Sequence, residues 1–418
     1  MISRPSPHRA DRRSGFTLIV ILWILAGLTA LAIGFSHGQA TFYREVENRC
    51  AGVQARLAAE TLLDALERRL AAAEPARRLV VANDLAEAVV VGEATVWMVG
   101  RSPDGGLTIE PVYGCTDEAA KLNLNTATAD MLAALPGMTP ERAEAIVAWR
   151  RPAAADAPAD GKGGPFETVE ELLWVEGFDA ETLWGPDANG NGAADAFETD
   201  ASVGAAWGLT DYVTIYSNEP NRRADGSARI DVNGDETTLR DLLRERFGDA
   251  RGNEIADRWR AAGRTFGSPL EAAKIAGLTV EEFAQVADDL TADEASTRPG
   301  LINVNTAPAA VLACVPGLGA DLAARLVARR GQGVEPEPTL AWLLDELDEA
   351  ACAAAGPHLT ARVTQVSADA VARGPNGRGY ARVRVVSDFS GAEPRRLYRR
   401  ELPHLGAAVG ESEGGTIR

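Results

Sequence analysis

The chain has 418 residues, of which 46% are hydrophobic and 24% charged. This composition is globular, and the length is enough for two or three domains. The formal net charge is −18, from 42 Lys and Arg against 60 Asp and Glu, which argues against a general nucleic-acid binder because phosphate recognition needs clustered positive charge. The four cysteines lie far apart without a CxxC pair, which excludes zinc-finger spacing; they are Cys50, Cys115, Cys314 and Cys352.

The N-terminal segment predicts a membrane anchor. Residues 1–15 contain four arginines and one acidic residue, and the next twenty residues, Phe16–Phe35, carry no charge. As a helix this run is about 30 Å long, which is the hydrocarbon thickness of a bilayer. Basic residues before the run and a long polar chain after it predict a single-pass membrane protein with a cytoplasmic N-terminus. The soluble part would lie across the membrane.

The order of signals around this run is unusual. A secretory signal has its small-residue cleavage site after the apolar core, whereas here Arg12–Gly15 precedes the apolar Phe16–Leu18. This arrangement resembles the class III signal of type IV prepilins and pseudopilins. The resemblance implies that a prepilin peptidase cuts after Gly15 and methylates the new N-terminal Phe16. A plain signal anchor with an accidental Gly-Phe pair is the alternative.

The fifth residue after the predicted cleavage is Val20, where most pilins and pseudopilins have Glu. That carboxylate usually pairs with the N-terminal amine of a neighbouring subunit in the filament. An unpaired carboxylate at mid-bilayer costs about 2.5–3.5 kcal/mol on insertion scales, so a subunit without that neighbour gains by losing the Glu. Val20 therefore indicates a capping position in a filament.

The next segments predict a helix followed by antiparallel strands. Residues 43–74 have apolar residues at helical spacing and precede Pro75, so we expect a helix that continues the membrane segment. Residues 88–93, 95–100 and 107–113 have strand composition, and Asp104-Gly105-Gly106 predicts a turn. This order predicts the α+β class, with a long N-terminal helix on an antiparallel sheet.

The chain contains an internal repeat. Residues 121–150 (KLNLNTATADMLAALPGMTPERAEAIVAWR) align without a gap to residues 301–330 (LINVNTAPAAVLACVPGLGADLAARLVARR). A vestige of the opening occurs at 229–233, and segments 164–178 and 267–278 are similar continuations of the repeat. The duplication is too short for a solenoid.

Each copy of the repeat has helix-hairpin-helix chemistry. Asn125 or Thr126 is the predicted N-cap of the first helix, and Pro-Gly turns the chain into the second helix. In DNA-binding versions the loop glycines expose backbone N–H groups to a phosphate, with help from Lys and Arg. Here Glu141 and Asp321 lie beside the two loops, so a helical unit for protein contacts is the favoured interpretation.

Residues 187–198 (DANGNGAADAFE) match the calcium-loop pattern D-x-[DN]-x-[DN]-G-x5-E. The glycine of the pattern, Gly192, provides its sharp turn, and oxygen-only ligands favour calcium over zinc. The alternative is an acidic turn that binds nothing. The predicted ligands are Asp187, Asn189, Asn191, Ala193 through its carbonyl, Asp195 and Glu198. A similar stretch at 231–236 fails the pattern and predicts a turn and helix cap.

The C-terminal part predicts strands and no catalytic site. Residues 361–403 alternate around Pro375-Asn376-Gly377, which indicates a β-hairpin or meander, and residues 407–418 are expected to form a flexible tail. No nucleophile elbow, Walker loop or HExxH motif occurs, so we expect no enzyme activity and no catalytic residues.

Together these features resemble the GspK family, the largest minor pseudopilins of the type II secretion system. The resemblance implies a pilin-like body with a large helical insertion of SAM-like or helix-hairpin-helix modules. It also implies a place at the pseudopilus tip, where the protein would initiate or cap assembly. The implied partners are the I and J minor pseudopilins, the major pseudopilin, the prepilin peptidase and secreted proteins, with calcium as a structural cofactor and no nucleic acid.

The resulting prediction divides the chain into seven parts: leader 1–15, transmembrane half-helix 16–36, pilin-like helix and first strands 37–120, first module with the calcium loop 121–300, second module 301–360, C-terminal strands 361–406 and tail 407–418. A minor pilin of a type IV pilus and, less favoured, a membrane-anchored DNA-binding protein are the alternative functions. The sequence does not decide whether Cys314 and Cys352 form a disulfide, because an even cysteine count permits the bond without requiring it.

Overall fold

The computed structural model describes residues 13–75, 78–82, 85–102, 105–152, 161–195, 198, 202–204, 206–330, 339–406 and 409. Most of the predicted leader, Asp104 of the predicted turn and all of the predicted tail except Val409 lie outside the described residues.

The α+β class is confirmed. The helices are α1 (Arg13–Ala72), α2 (Arg78–Ala82), α3 (Ala129–Ala133), α4 (Pro140–Arg150), α5 (Ala180–Trp184), α6 (Glu236–Ala261), α7 (Pro269–Ala276), α8 (Val280–Val286), α9 (Ala309–Leu312), α10 (Gly319–Arg330), α11 (Leu343–Glu346) and α12 (Glu349–Ala355). The strands are β1 (Val89–Val91), β2 (Ala94–Val99), β3 (Thr116–Asp117), β4 (Leu122–Asn123), β5 (Val213–Thr214), β6 (Asn218–Pro220), β7 (Ile230–Asp231), β8 (Leu290–Thr291), β9 (Thr297–Pro299), β10 (Ile302–Asn303), β11 (Leu359–Thr360), β12 (Gln365–Arg373), β13 (Tyr380–Asp388) and β14 (Arg395–Glu401).

Helix α1 joins the apolar run and the predicted helix 43–74 into one element of 60 residues. It ends at Ala72, close to Pro75, as the proline predicts. Every residue from Phe16 to Cys50 is exposed, and burial begins at Ala51. The two halves of α1 therefore have different surroundings, and only the second half packs on the rest of the chain.

The buried half of α1 covers one face of an antiparallel sheet. Its buried side chains recur every three or four residues, which places them on one helix face; they include Ala55, Ala59, Leu62, Leu63, Leu66 and Leu70. They pack with alternate residues of the sheet, namely Val96 and Met98 of β2, Ala368 and Ala370 of β12, and Val383 and Val385 of β13. This face of the sheet is wholly apolar at its centre.

The strand order is β1-β2-β12-β13-β14, and β3 also pairs with β12. The predicted strands at 88–93 and 95–100 are confirmed as the β1–β2 hairpin, and the C-terminal prediction is confirmed as β12, β13 and β14. Asn376 adopts φ 56° in the turn between β12 and β13, a conformation that Asn tolerates better than most residues.

The predicted strand at 107–113 is wrong. The segment makes only isolated bridges, from Thr108 to Ala193 and from Tyr113 to Val99. Leu107 is buried in the core of the helical part of the chain, while Tyr113 lies against the sheet. The segment therefore crosses between two cores, and Pro111 has no N–H to donate to a strand ladder.

The second face of the sheet carries charged residues beside a small apolar cluster of Val99, Val371 and Val409. It meets the residues between β3 and β12, which we call the helical insertion (residues 118–364). Asp369 of β12 lies on this face, where it pairs with Arg382 at 2.8 Å and Arg384 at 2.7 Å. Burial by itself raises the pKa of Asp369, but the charges of Arg384 and Arg382 outweigh it and hold that pKa well below its usual range. These charge pairs lie within the sheet, and Arg382 also donates to the carbonyl of Gly190 in the insertion at 2.8 Å.

The helical insertion contains three units of one design. Each unit opens with a two-residue strand and closes with a second strand parallel to it; the pairs are β4 with β5, β7 with β8, and β10 with β11. In each opening strand the last side chain accepts the backbone N–H two residues later, in the pairs Asn123 with Asn125, Asp231 with Asn233 and Asn303 with Asn305. Each closing strand ends in Thr (Thr214, Thr291 and Thr360).

The vestige at 229–233 thus opens a complete unit. Asn233 exchanges two hydrogen bonds with the backbone of Phe266, at 2.8 and 3.0 Å. Asn125 makes the same pair of bonds with Phe166, at 2.7 and 3.0 Å. The similarity of this unit to the other two is hard to recognise in the sequence because its first helix, α6, has 26 residues and a break at Gly248.

The predicted helix caps are wrong in position, while the predicted turns are confirmed. Thr128 caps α3 by accepting the N–H of Met131, because Asn125 is committed to Phe166 instead. The Pro-Gly turns are present in both copies, with Gly137 at φ 72° and Gly317 at φ 82°. This is the left-handed region that glycine enters without steric cost.

A buried carboxylate joins the sheet to the third unit. Asp117 of β3 accepts hydrogen bonds from Asn303 at 2.8 Å and from the Thr306 hydroxyl at 2.7 Å. Burial raises the pKa of Asp117 to about 7, against the lowering effect of these hydrogen bonds, with a further rise from the charge of Glu118.

We expect Leu63→Ala to lower the free energy of unfolding of residues 41–418 by about 2–5 kcal/mol, since Leu63 is fully buried between α1 and the sheet. Leu57→Ala is the matched control on the same helix, because Leu57 is 61% exposed and should change stability by less than about 0.5 kcal/mol. Urea unfolding monitored by circular dichroism measures both. Equal effects would contradict the packing of α1 on the sheet.

We expect Asp117 to make stability fall as pH rises. Its pKa is about 7 in the folded chain and about 4 when unfolded. Its contribution to the free energy of unfolding is therefore present at low pH and is lost between about pH 4 and pH 7. Between pH 5 and pH 8 the wild type should lose roughly 2 kcal/mol more free energy of unfolding than Asp117→Asn. Parallel pH profiles of the two proteins would contradict the raised pKa.

Candidate functional site

The predicted calcium loop lies in the first unit of the insertion, between α5 and β5. Residues 187–195 and 198 of the loop are described. Asp187, Asn189, Asn191 and Ala193 are buried, while Asp195 and Glu198 are partly buried. The burial of three polar residues in so short a segment is unusual, because polar side chains are buried only where they find partners.

The first half of the loop is wrapped around its own side-chain oxygens. The Asp187 carboxylate accepts the N–H of Asn191 at 3.0 Å and of Gly192 at 2.7 Å. The side-chain oxygen of Asn189 accepts the N–H of Asn191 at 2.9 Å, and that of Asn191 accepts the N–H of Ala193 at 2.8 Å. Gly192 adopts φ 79°, so the pattern's glycine is required by the backbone.

The second half of the loop folds back on the first. The Glu198 carboxylate accepts the N–H groups of Asn189 and Asp195, both at 3.3 Å. Asp195 accepts the side-chain amides of Asn189 at 2.6 Å and Asn191 at 2.9 Å. The five predicted side-chain ligands are therefore gathered in one hydrogen-bonded cluster, although they span twelve positions of sequence.

The charges in this cluster need compensation. Burial raises the pKa of Glu198, and the nearby carboxylates of Asp187 and Asp195 raise it further. Within the described residues no group of three or more Asp, Glu, His or Cys alone is placed to hold a metal. A cation here would therefore also need the amide oxygens of Asn189 and Asn191 and a backbone carbonyl. Such an all-oxygen donor set suits calcium.

The predicted processing site lies at the start of α1. Helix α1 includes Gly15, and Phe16 is 72% exposed. Across the described residues, α1 is the one helix long and apolar enough to cross a membrane, and the apolar window that qualifies it is wholly exposed. This helix could serve as a single membrane anchor. Cleavage, methylation and orientation stay predictions.

Arg150 and Arg330 each stabilise the repeated unit to which they belong. Arg330 donates to the carbonyls of Val304 at 2.8 Å and Ala307 at 2.6 Å. Arg150 makes the corresponding bonds to Leu124 and Ala127 in the first unit. Since these guanidinium groups tie each unit's second helix to its opening strand, they are not presented to a phosphate backbone.

Cys314 and Cys352 are both buried free thiols in the structure. Burial raises the pKa of Cys314 to about 12 and that of Cys352 to about 11. Such thiols are largely unreactive at neutral pH, because the thiolate is the reactive form.

In chelator, we expect Glu198→Gln to leave the free energy of unfolding unchanged or to raise it by up to about 1 kcal/mol. The raised pKa means that ionising Glu198 costs stability as pH rises, and Gln removes that charge while keeping an oxygen acceptor. The measurement is urea unfolding at pH 7.5, with Glu176→Gln as control, because Glu176 is exposed and lies in a turn before α5, outside the loop. A loss well above 1 kcal/mol in Glu198→Gln alone would contradict charge repulsion in the loop.

Two parts of the chain match known family models. Residues 117–184, which run from the end of β3 through α5 of the first unit, match the helix-hairpin-helix motif. Residues 302–350, within the third unit, match the family described as type II secretion system (T2SS), protein K. No curated protein matches the chain. The second match supports the protein K family of the type II secretion system over the third unit.

Proposed function

We propose that this chain is a minor pseudopilin at the tip of the type II secretion pseudopilus, where it initiates or caps assembly and supports protein export. The observation that carries the proposal is the division of α1, whose residues 16–50 are exposed while its later residues cover the sheet. A helix with this division needs a membrane before assembly and neighbouring helices afterwards. The match of residues 302–350 supports a type II secretion system as the setting.

The capping role is supported by Val20. In a repeating subunit, a carboxylate at this position would pair with the amine of the next subunit. A carboxylate without that neighbour would lie unpaired in the membrane, so an apolar Val20 suits a subunit with no neighbour above it. The helical insertion, residues 118–364, adds bulk to the second face of the sheet, and this bulk would hinder the stacking of identical copies.

The proposed partners follow from the same position. They are the I and J minor pseudopilins beside the tip, the major pseudopilin below it, the prepilin peptidase during maturation, and secreted proteins. The proposed place is the bacterial inner membrane, with a cytoplasmic N-terminus and a periplasmic soluble part. The role is structural, since the protein K family is a component of the secretion machinery, and nucleic acid is not a proposed partner.

We further propose a structural calcium ion in the loop, held by Asp187, Asn189, Asn191, the carbonyl of Ala193, Asp195 and Glu198. When bound, the ion would neutralise three carboxylates that otherwise repel one another. Support comes from the gathering of these side chains in one cluster and from the raised pKa of Glu198. Because three carboxylates is a modest number, the affinity should suit an extracytoplasmic calcium concentration.

The test is co-purification of residues 41–418 with the I and J candidates from the same genome, in calcium and in chelator. We expect a stable ternary complex with wild type in calcium and a weaker one in chelator. Glu198→Gln is the matched variant: its complex in calcium should be as weak as that of wild type in chelator, and chelator should weaken it no further.

The outcomes separate the two proposals. A ternary complex whose stability is unchanged by chelator and by Glu198→Gln would contradict the role of calcium while supporting the tip role. No complex in any condition would contradict the tip role and favour a minor pilin of a type IV pilus. Tight, salt-dependent binding of residues 41–418 to DNA would instead favour the DNA-binding alternative.

A further inference from the structure

We infer that Arg382 and Arg101 are positioning residues that couple the calcium loop to the sheet, so that calcium binding and the docking of the helical insertion stabilise each other. The inference rests on the proposed calcium site. It adds two residues, both on the sheet side of the seam, that lie outside the loop and outside the calcium-loop pattern.

Arg382 connects the two parts of the molecule directly. Its side chain is fully buried, and its guanidinium donates to the loop carbonyls of Asn189 at 2.5 Å and Gly190 at 2.8 Å. The same guanidinium donates to Asp369 on the neighbouring strand, at 2.9 and 2.8 Å. The loop therefore rests on a charge pair that belongs to the sheet.

Arg101 makes a second connection beside the first. It follows β2 and donates to the carbonyl of Gly190 at 3.3 Å, while its Nε donates to Asp211 of the insertion at 2.8 Å. Thr108 holds the far side of the loop, since its N–H donates to the carbonyl of Gly192 at 3.0 Å. The backbone of residues 189–192 is thus fixed from outside.

The fit around Gly190 is close. Its φ is 65°, and a Cβ added there would lie 3.4 Å from a terminal nitrogen of Arg382. Both the backbone conformation and the approach of the guanidinium therefore favour glycine at this position of the loop. Gly190, which lies between the predicted ligands Asn189 and Asn191, therefore contacts the sheet through its carbonyl.

The consequence is preorganisation of the first half of the loop. Because the arginines hold backbone carbonyls of the loop, the side chains of Asp187, Asn189 and Asn191 would keep their positions without a cation. Without Arg382, calcium binding would have to order this segment as well. Loss of groups that orient metal ligands usually weakens metal affinity 10–100-fold. By linkage, calcium strengthens the docking of the insertion by the same factor.

The experiment is calcium titration of the full chain in detergent by isothermal calorimetry, with hydrogen exchange measured in calcium and in chelator. We expect Arg382→Gln to weaken calcium binding 10–100-fold and Arg101→Gln to weaken it by a smaller factor. Arg384→Gln is the matched control, since Arg384 also pairs with Asp369 but makes no hydrogen bond to the loop within the described residues. Its affinity should stay within threefold of wild type.

Hydrogen exchange gives a second readout. In wild type, calcium should slow exchange both in the loop and in β13 around Arg382, whereas in Arg382→Gln it should slow exchange in the loop alone. If Arg382→Gln does not fold, Arg101→Gln carries the test through the same two measurements.

Two results would overturn the inference. One would contradict the coupling alone, and the other would contradict the proposed calcium site as well. Calcium binding to wild type with unchanged affinity in both arginine variants would overturn the coupling and leave the proposed metal site standing. No calcium binding to wild type would overturn the metal site and the coupling together.

Discussion

The structure depends on one helix that serves two environments. From Ala51 onward, one face of α1 is buried on the sheet, and the packing of its leucines with β2, β12 and β13 forms the core of that part of the molecule. The 35 residues before Ala51 are all exposed, and most of the large side chains among them are apolar. Such a surface suits a membrane, so the helix that builds the fold could also serve as a single membrane anchor.

The two faces of the sheet have different partners. The face under α1 is apolar and is closed by the helix, while the second face carries Asp369, Arg382 and Arg384. On this face Arg382 and the nearby Arg101 donate hydrogen bonds to the insertion, away from the core under α1. The candidate metal loop lies at this seam, and the proposed coupling would let calcium in the loop influence how the insertion docks on the sheet.

Much of this architecture was predictable from local sequence. The uncharged run and Pro75 predict the extent of α1, the alternating C-terminal segment predicts β12 to β14, and the loop spacing predicts which side chains gather around Glu198. The second unit was recognised only in part, from its opening at 229–233 and the segment 267–278, because Asp231 replaces Asn and α6 lengthens the segment between them. The Thr128 cap and the contacts of Arg382 were also missed, since they depend on tertiary partners; Arg382 and Asn189 are 193 residues apart.

The central claim is that this chain occupies one end of a filament. Its most direct test is gold labelling of a tag on the chain in pseudopili that have been lengthened by overproduction of the major subunit, viewed by electron microscopy. A chain that caps the filament should give one label per filament, at a single end. Labels spaced along the filament length would show that the chain stacks as a repeating subunit and would contradict the tip position.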